Sequence, residues 1–306
     1  MTDAFIGIDI GTSGCRIVAI DQFGQILAEQ TYCYDRPQLR VAANGETHAE
    51  QDPQWLWTIV AKLLKQLLAI CQSTIRVQAI AVDATSGSIL LTDKHGQPLS
   101  PILLYNDSRA QWQSKRIADV APDNSAAHGT ASGLSKLNYL QKTLSLPNQY
   151  HLLHQAAWIN FKLGAPVGIS DENNALKTGY DPVAQQWPDW LTPFRGKATL
   201  PKVVTAGTKI GYLSETLAKQ FGIKNQPSII AGTTDSIAAF LATDAHKVGD
   251  AVTSLGSSLV IKQLNDKPVF KPGQGIYSHR LGNKWLVGGA SNTGGAVLKF
   301  FSLIYN

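Results

Sequence analysis

Glycine and hydroxyl side chains surround a single carboxylate near the start of the chain. Asp9 is followed by Gly11, Thr12 and Ser13, and the whole group lies between two apolar segments. Backbone amides and hydroxyls in such a turn can surround a phosphate group, because glycine leaves the backbone accessible. A carboxylate beside the phosphate is a suitable ligand for Mg2+. The spacing indicates either a phosphate-binding turn with Asp9 at the metal, or an ordinary hairpin turn whose glycines only provide positive φ angles.

The spacing of these glycines differs from the common nucleotide-binding motifs. It matches neither the GxGxxG pattern of dinucleotide-binding folds nor the GxxxxGK[ST] pattern of P-loop proteins. The histidines form no HExxH motif, and only His151 and His154 are spaced as i, i+3, so we predict no zinc site. The tryptophans are assigned to packing, because no basic groove accompanies them.

Two further polar groups come directly after apolar runs that are typical of buried strands. The run at 76–84 is followed by Ser86, and the run at 227–231 leads to Asp235. Ligands of open α/β sheets bind beyond the carboxyl ends of the strands, so both side chains are candidates for a site. The Ser86 hydroxyl can hydrogen-bond a ligand as donor and acceptor, or it can merely close a turn. Asp235 precedes a helical pattern, so it can act as a helix N-cap, which does not exclude a second role at a site.

The N-terminal segments predict the elements that position the first turn. Isoleucine-rich runs at 4–10 and 16–20, followed by a third run at 24–31, predict a three-stranded antiparallel meander. Asp52 and Pro53 form an N-cap and first-turn pair, and the apolar residues behind them repeat at helical spacing as far as residue 67. We therefore expect a meander followed by an amphipathic helix.

The later segments predict the second half of the site. The run at 76–84 predicts a buried strand, and 227–245 predicts a short strand followed by a helix. Residues 251–260 predict a strand, a tight turn and a second strand, which resembles the arrangement at 5–20. The segment from about 110 to 225 carries no assignable motif and is expected to be scaffold.

Length and composition predict a globular protein of two domains. A single core rarely grows beyond roughly 250 to 300 residues, and this chain has 306, so we place a boundary near residue 225. Hydrophobic residues make up 44% and charged residues 16% of the chain, without a low-complexity tract. The net charge is +5, but lysines and arginines are scattered, so we expect no nucleic-acid partner.

Cysteine usage and the N-terminal segment predict a location in the cytoplasm. Cys15, Cys33 and Cys71 are far apart and form no CxxC pair, so we expect reduced thiols without a disulfide framework. The segment that begins at Met1 lacks a basic region followed by an apolar one, and no run approaches the ~18 apolar residues of a membrane helix. No membrane partner is expected, and the oligomeric state is not predicted.

The order and spacing of these motifs resemble the FGGY family of carbohydrate kinases. Residues 104–109 are similar to the W-x-D-x-R segment of that family, with Tyr105 where a tryptophan is common. The resemblance extends over essentially the whole chain. The other segments that carry it are 8–13, 50–53, 83–87, 231–235 and 253–258.

The resemblance implies an α/β fold of the actin-like ATPase type, which is ribonuclease H-like, with an incomplete second domain. Residues 1–225 would form the sugar-binding domain and 226–306 part of the nucleotide-binding domain. The implied reaction is phosphorylation of a sugar hydroxyl by ATP with Mg2+, in which Asp235 matches the general base and Asp9 the acidic residue near the metal. The implied sugar-contacting residues are Asp9, Ser13, Ser86 and Asp235. The implied ATP-contacting residues are Gly11, Thr12, Ser13, Thr253, Gly256 and Ser257.

Departures from the family pattern narrow the choice of sugar. Thr85, Ser86 and Gly87 stand where xylulokinases carry a Met-His-Gly segment, and the Gln-Arg-Glu segment of glycerol kinases has no counterpart. The Thr-Ser-Gly loop resembles a cyanobacterial and plastid-type group that is similar to D-ribulose kinases. The resemblance therefore implies a ketopentose acceptor such as D-ribulose or D-xylulose.

The chain is short for the family it resembles. FGGY kinases usually continue beyond this point, and their adenosine-contacting motif should follow Gly295, whereas the chain ends at Asn306. A shortened second domain would leave apolar surface uncovered, which predicts poor solubility or a partner. One alternative is therefore a catalytically inactive sugar-binding fragment that lacks the adenosine site. Another is an actin-like or chaperone-like ATPase without a small-molecule acceptor.

Overall fold

The computed structural model describes residues 1–34, 39–43, 45–71, 74–255 and 259–291. The helices in these ranges are α1 (Pro53–Cys71), α2 (Gln111–Ala118), α3 (Gly133–Thr143), α4 (Gln155–Leu163), α5 (Glu172–Leu176), α6 (Thr192–Arg195), α7 (Glu215–Phe221) and α8 (Asp235–Leu241). The first strands are β1 (Thr2–Ile10), β2 (Gly14–Asp21), β3 (Ile26–Cys33), β4 (Leu39–Val41), β5 (Thr47–Gln51), β6 (Ile75–Ala84), β7 (Ile89–Thr92), β8 (Ile102–Leu103) and β9 (Tyr150–His154). The later strands are β10 (Ile169–Asp171), β11 (Ala198–Thr199), β12 (Lys202–Val204), β13 (Lys209–Tyr212), β14 (Ser228–Ile230), β15 (Ala251–Leu255), β16 (Leu259–Asn265), β17 (Ile276–Leu281) and β18 (Lys284–Ser291).

A mixed six-stranded sheet, in the order β13-β14-β6-β1-β2-β3, carries the first predicted turn. The N-terminal meander is confirmed, because β1, β2 and β3 pair antiparallel in sequence order. β6 runs parallel to β1, and β14 runs parallel to β6. Alternate residues of β1 point to opposite faces, so Ile6 and Ile8 are buried while Gly7 and Asp9 are exposed. The apolar face of the sheet packs on α1.

The helix predicted after Asp52 is confirmed and extends four residues further than its apolar pattern. The Asp52 carboxylate accepts hydrogen bonds from the backbone N–H groups of Gln54 (2.7 Å) and Trp55 (3.0 Å), which satisfies donors that the helix itself leaves free. Its buried face is formed by Leu56, Ile59, Val60, Leu63, Leu64 and Leu67. No helix in the described ranges is both long enough and apolar enough to cross a membrane.

A second six-stranded sheet, in the order β11-β9-β7-β8-β5-β4, forms the scaffold behind the site with α2, α3 and α6 around it. Trp158, Trp187 and Trp190 pack against apolar neighbours, as predicted, whereas Trp55 and Trp112 are exposed. The fully buried Trp158 donates its indole N–H to the Gly96 carbonyl (3.2 Å), and Trp187 stacks edge-on against Tyr180 with ring centroids 5.2 Å apart. Two short parallel strands, β10 and β12, complete this region.

A four-stranded antiparallel sheet, in the order β15-β16-β18-β17, contains the strands predicted at 251–260. The helix α8 packs against it through Ile237 and Phe240, which join Leu264 and Leu286 in a small apolar cluster. The helix predicted within 227–245 is thereby confirmed. The boundary near residue 225 stays a prediction.

Candidate active site

Three carboxylates converge at one edge of the mixed sheet. Asp9 and Asp83 are direct partners in the parallel register of β1 and β6, so their side chains point to the same face. Ala84, the next residue of β6, forms a parallel bridge with Thr234, which directly precedes Asp235. The strand order therefore brings together residues that are far apart in the sequence.

The carboxyl group of Asp83 is buried beside the other two carboxylates. Its pKa is raised well above the usual range, first by burial and then by the neighbouring carboxylates of Asp9 and Asp235. The Oδ1 atom of Asp83 is buried without a hydrogen-bond partner. An unpaired buried acceptor is costly, so this edge of the sheet favours a proton or a cation between the two strands.

The paired carboxylates of Asp9 and Asp83 suit a magnesium ion. Mg2+ is usually held by one or two carboxylates, with phosphate oxygens and water molecules completing its octahedron. A bound cation would also relieve the repulsion between the two carboxylates and satisfy the buried Oδ1 atom. No set of three or more His, Cys, Asp or Glu side chains is arranged to hold a metal ion in the described ranges. The metal role of Asp9 stays a prediction.

A cavity of about 390 Å³ opens beside these carboxylates. This volume falls in the range of small-molecule sites, roughly 300 to 1,000 Å³. Three predicted residues contribute to the wall: Thr12 from the first turn, Ser86 from the end of β6, and Asp235 from α8. Tyr105, from the segment similar to W-x-D-x-R, also lines it. Further polar residues of the wall were not singled out by the sequence analysis, namely Lys177, Ser236, Lys262, Tyr277 and His279.

The loop after β6 presents a hydroxyl that has no protein partner. The Oγ atom of Ser86 is buried and makes no hydrogen bond, whereas the neighbouring Thr85 hydroxyl is paired with Ser88 Oγ at 2.6 Å. Gly87 adopts φ +86°, and a Cβ atom there would lie 2.5 Å from the Ala131 carbonyl oxygen, so only glycine fits. The loop is therefore held tightly while Ser86 remains available to bond a ligand.

A buried lysine is hydrogen-bonded to the backbone of this loop. The side chain of Lys136 on α3 is 0% exposed, and its ammonium donates hydrogen bonds to the carbonyls of Gly87 (2.7 Å) and Ala131 (3.4 Å). Burial lowers the pKa of Lys136 to about 7, and the nearby cations Lys177 and Arg109 act in the same direction. Lys136 lies outside the cavity wall and acts on the loop through its backbone.

Asp235 lies in the first turn of α8 and close to two lysines. Its pKa is raised by burial and by the Asp9 carboxylate, while the Ser236 N–H, Lys177 and Lys262 act in the opposite direction. The N-cap interpretation of Asp235 needs a correction, because Thr234 occupies the cap position and Asp235 is the first helical residue. Its Oδ1 atom accepts a 2.7 Å hydrogen bond from the backbone N–H of Ser236. The carboxylate also belongs to the cavity wall.

The segment similar to W-x-D-x-R forms a structural clamp. Arg109 is buried and donates to both carboxylate oxygens of Asp107 (3.0 and 2.9 Å from Nε) and to Glu50 Oε1 (2.5 Å). The Asp107 carboxylate also accepts from the Ala49 N–H at 2.8 Å, so the segment is tied to β5. Tyr105 is the member of this segment that reaches the cavity.

Of the remaining predicted residues, those within the described ranges lie outside the cavity wall. Gly11 is in the first turn, where its N–H donates to the Gly14 carbonyl at 3.0 Å. Ser13 is exposed in the same turn, and Thr253 is exposed on β15, both outside the described cavity wall. Gly256 and Ser257 lie outside the described residues.

Comparison with known proteins identifies related sequences along most of the chain. Residues 4–242 match the model described as "FGGY family of carbohydrate kinases, N-terminal domain". The gluconokinase of Bacillus subtilis (strain 168) is 22% identical, and the match covers 98% of this chain and 60% of that protein. The xylulose kinase of Escherichia coli (strain K12) is 24% identical, with 92% of this chain and 59% of that protein covered. The chain thus spans about three fifths of the length of these relatives.

Solved structures confirm the predicted actin-like, ribonuclease H-like α/β fold. The ligand-bound xylulose kinase from Lactobacillus acidophilus matches with a TM-score of 0.83 at 20% identity, covering 97% of this chain and 62% of that one. The glycerol kinase of Plasmodium falciparum with ADP matches with a TM-score of 0.82 at 15% identity, covering 98% and 63%. At these identities the likeness concerns the fold.

Proposed function

Because the chain belongs to the FGGY family of carbohydrate kinases, we propose that it transfers the γ-phosphoryl group of ATP to a hydroxyl group of a sugar. The observation that carries the proposal is the cavity in which Asp235, Ser86 and Thr12 face one another. A carboxylate, a free hydroxyl donor and a phosphate-binding turn are the groups that such a transfer requires.

Asp235 is proposed as the general base. Its carboxylate accepts the proton of the sugar hydroxyl while the sugar oxygen forms a bond to the γ-phosphorus and the bond to the bridging oxygen of ADP breaks. The neighbouring lysines favour the ionised carboxylate that this step needs. Asp9, with Asp83 beside it, would hold Mg2+, which when bound neutralises charge on the phosphate oxygens.

The nucleotide is proposed to bind across two turns. Gly11, Thr12 and Ser13 belong to the turn between β1 and β2, and Thr253 belongs to β15, which precedes Gly256 and Ser257 in the chain. Of these, Thr12 has the strongest support, because its side chain belongs to the wall that also contains Asp235.

The proposed acceptor is a ketopentose such as D-ribulose or D-xylulose. The Ser86 hydroxyl can donate one hydrogen bond and accept others from a polyol, and it is free to do so. The names of several relatives, which are xylulose kinases, support an acceptor of this size. Thr85, Ser86 and Gly87 are the basis for placing D-ribulose first.

The proposal is tested by ADP release from the chain with ATP, Mg2+ and a panel of ketopentoses, hexoses and glycerol. We expect release only when a suitable sugar is added, and loss of this release in Asp235→Ala. The matched control is Asp123→Ala, which removes an exposed carboxylate outside the site. Thermal stabilisation by the sugar should persist in Asp235→Ala, because a ligand that binds only the folded state raises its stability.

Two outcomes would contradict the proposal. Hydrolysis of ATP at the same rate with and without sugars indicates an ATPase without a small-molecule acceptor. Stabilisation by a ketopentose, without stabilisation by ATP and Mg2+ and without turnover, indicates a sugar-binding protein.

A further inference from the structure

Two ammonium groups face the cavity beside Asp235, and neither has a role in the proposed reaction so far. Lys177 and Lys262 both belong to the wall. Burial lowers the pKa of each, and the Asp235 carboxylate acts against this effect. The ion pairs found in the described residues lie elsewhere, so no contacting carboxylate neutralises either lysine. Burying such charges is expensive unless a partner arrives.

The titratable groups around the two lysines add no compensating negative charge. His279 on β17 is neutral, because burial and both lysines hold its pKa well below the usual value. Tyr277, on the same strand, has a pKa raised by burial and is also uncharged. Asp235 is the carboxylate of the described cavity wall, so the wall carries two positive charges and one negative charge.

The four-stranded sheet leaves space for the side chain of Lys262. The side chain is 7% exposed, and its Nζ atom donates a 2.8 Å hydrogen bond to Ser236 Oγ, next to Asp235. Gly288 faces it on β18, and a Cβ atom there would lie 2.8 Å from Lys262 Cγ, so glycine leaves room for the lysine. An ammonium has three N–H donors, and those not bonded to Ser236 are free to bind a ligand.

We propose that Lys262, together with Lys177, binds the phosphoryl group while it passes from ATP to the sugar hydroxyl. The inference rests on the proposed function. It follows from the position of Lys262 in one wall with Thr12 of the phosphate-binding turn and with the general base.

The charge balance of the reaction explains why the lysines would act in the transition state. The sugar oxygen forms its bond to the γ-phosphorus, the bond to the bridging oxygen breaks with its electron pair remaining on ADP, and the proton moves to Asp235. As Asp235 is neutralised, both ammonium charges are left to act on the phosphoryl oxygens. Interactions that strengthen during the transfer accelerate it, whereas interactions of constant strength do not.

The first experiment measures binding of inorganic phosphate to the chain by titration calorimetry and needs no turnover. We expect Lys262→Met to weaken phosphate binding roughly 10- to 100-fold, as for loss of a charge-assisted hydrogen bond. Lys262→Arg should bind within a few-fold of the wild type. Lys267→Met removes an exposed lysine just beyond β16 and should leave binding unchanged. If Lys262→Met does not fold, Lys262→Gln replaces it.

The second experiment compares turnover of a neutral ketopentose with turnover of a sugar acid such as gluconate. We expect Lys262→Met to lower kcat with the neutral sugar by a similar factor while KM for that sugar changes little. A loss confined to the sugar acid would assign the lysines to a carboxylate of the acceptor and overturn the phosphoryl assignment. Failure of the wild type to bind phosphate, or equal binding by Lys262→Met, would overturn it too. Phosphate binding that depends on Lys262, without any turnover, would refute the kinase proposal and with it the role of Lys262 in transfer, and would leave Lys262 as a phosphate ligand only.

Discussion

Replacement of the buried Lys136 by methionine should change how the stability of the protein depends on pH. The ammonium of Lys136 is enclosed between α3 and the loop of Gly87, and its hydrogen-bond partners are backbone carbonyls. Asp107 favours its charged form, but burial is the dominant effect and lowers its pKa from 10.5 to about 7.

The sign and size of the effect follow from proton linkage. Between the folded pKa of about 7 and the unfolded pKa of 10.5, the unfolded chain binds a proton on Lys136 that the folded chain does not. The free energy of unfolding therefore rises with pH across this window. The contribution is complete above the unfolded pKa and is lost as the pH falls through the folded pKa. At about 1.4 kcal/mol per pH unit, it amounts to roughly 2 to 3 kcal/mol between pH 7 and pH 9.

Urea denaturation of the wild type and of Lys136→Met at about pH 7 and pH 9 measures this contribution. Other titrating groups are present in both proteins, so they cancel in the difference between the two pH dependences. We expect the wild type to gain roughly 2 to 3 kcal/mol more than the variant. Lys115→Met, at an exposed position of α2, is the control and should follow the wild type. Parallel pH dependences for the wild type and Lys136→Met would refute the reasoning.

Four further predictions concern the site and the loop that borders it. Asp235→Asn should lower kcat by about 10²- to 10⁴-fold in steady-state assays, because it removes the general base. In the wild type, kcat should fall as the pH drops through the raised pKa of Asp235, so the acidic limb of the pH-rate profile should lie above the usual pKa range of an aspartate. Ser86→Ala should raise KM for the sugar about tenfold, as for a lost hydrogen bond, with an unchanged melting temperature because its Oγ has no protein partner. Gly87→Ala should destabilise the fold by about 2 kcal/mol or more in thermal unfolding, and more than Gly207→Ala, since Gly207 shares the positive φ but has open space around it.

For each of the three substitutions, one result would contradict the prediction. Wild-type kcat in Asp235→Asn would remove the base from the mechanism. A lower melting temperature for Ser86→Ala, with an unchanged KM, would indicate that the hydroxyl is structural. Equal destabilisation by Gly87→Ala and Gly207→Ala would show that strain of the backbone, rather than the close approach of the Ala131 carbonyl, is decisive.

Local patterns were sufficient for the elements that frame the site. The meander of β1 to β3 follows from apolar runs separated by turn residues, and α1 follows from Asp52, Pro53 and the helical spacing behind them. Both depend on interactions within a few residues of chain. Ser86 and Asp235 were predicted to contribute to a site because each follows a strand at its carboxyl end, and Thr12 because it lies in a glycine-containing turn. The structure brings all three to one cavity.

The sequence marks Asp83 as an unusual residue but does not assign it to the site. A carboxylate in an otherwise apolar strand is unusual, and Asp83 precedes the end of its run by one residue, as Asp9 does in β1. Only the parallel register of β1 and β6 makes the two residues direct neighbours. A shift of one residue would turn Asp83 to the opposite face, away from Asp9.

The lysines of the cavity had no recognisable signal in the sequence. Lys177 follows α5 and Lys262 lies in the middle of β16, so 84 intervening residues separate two side chains that share one wall. A lysine in a strand ordinarily faces solvent, and the sequence contains 27 lysines and arginines without clustering. Burial of Lys262 depends on Gly288 in the neighbouring strand and on the Ser236 hydroxyl across the cavity.

The division between the two kinds of information has a physical basis. Turn chemistry, helix capping and hydrophobic period act over a few residues, so the amino-acid order alone predicts the strands, the main helix and the polar residues at strand ends. The environment of a charge depends on whatever packs around it. The pKa of Asp235 is raised and His279 is uncharged only because β6, α8 and the four-stranded sheet come together. The same packing leaves the ammonium groups of Lys177 and Lys262 without a contacting carboxylate.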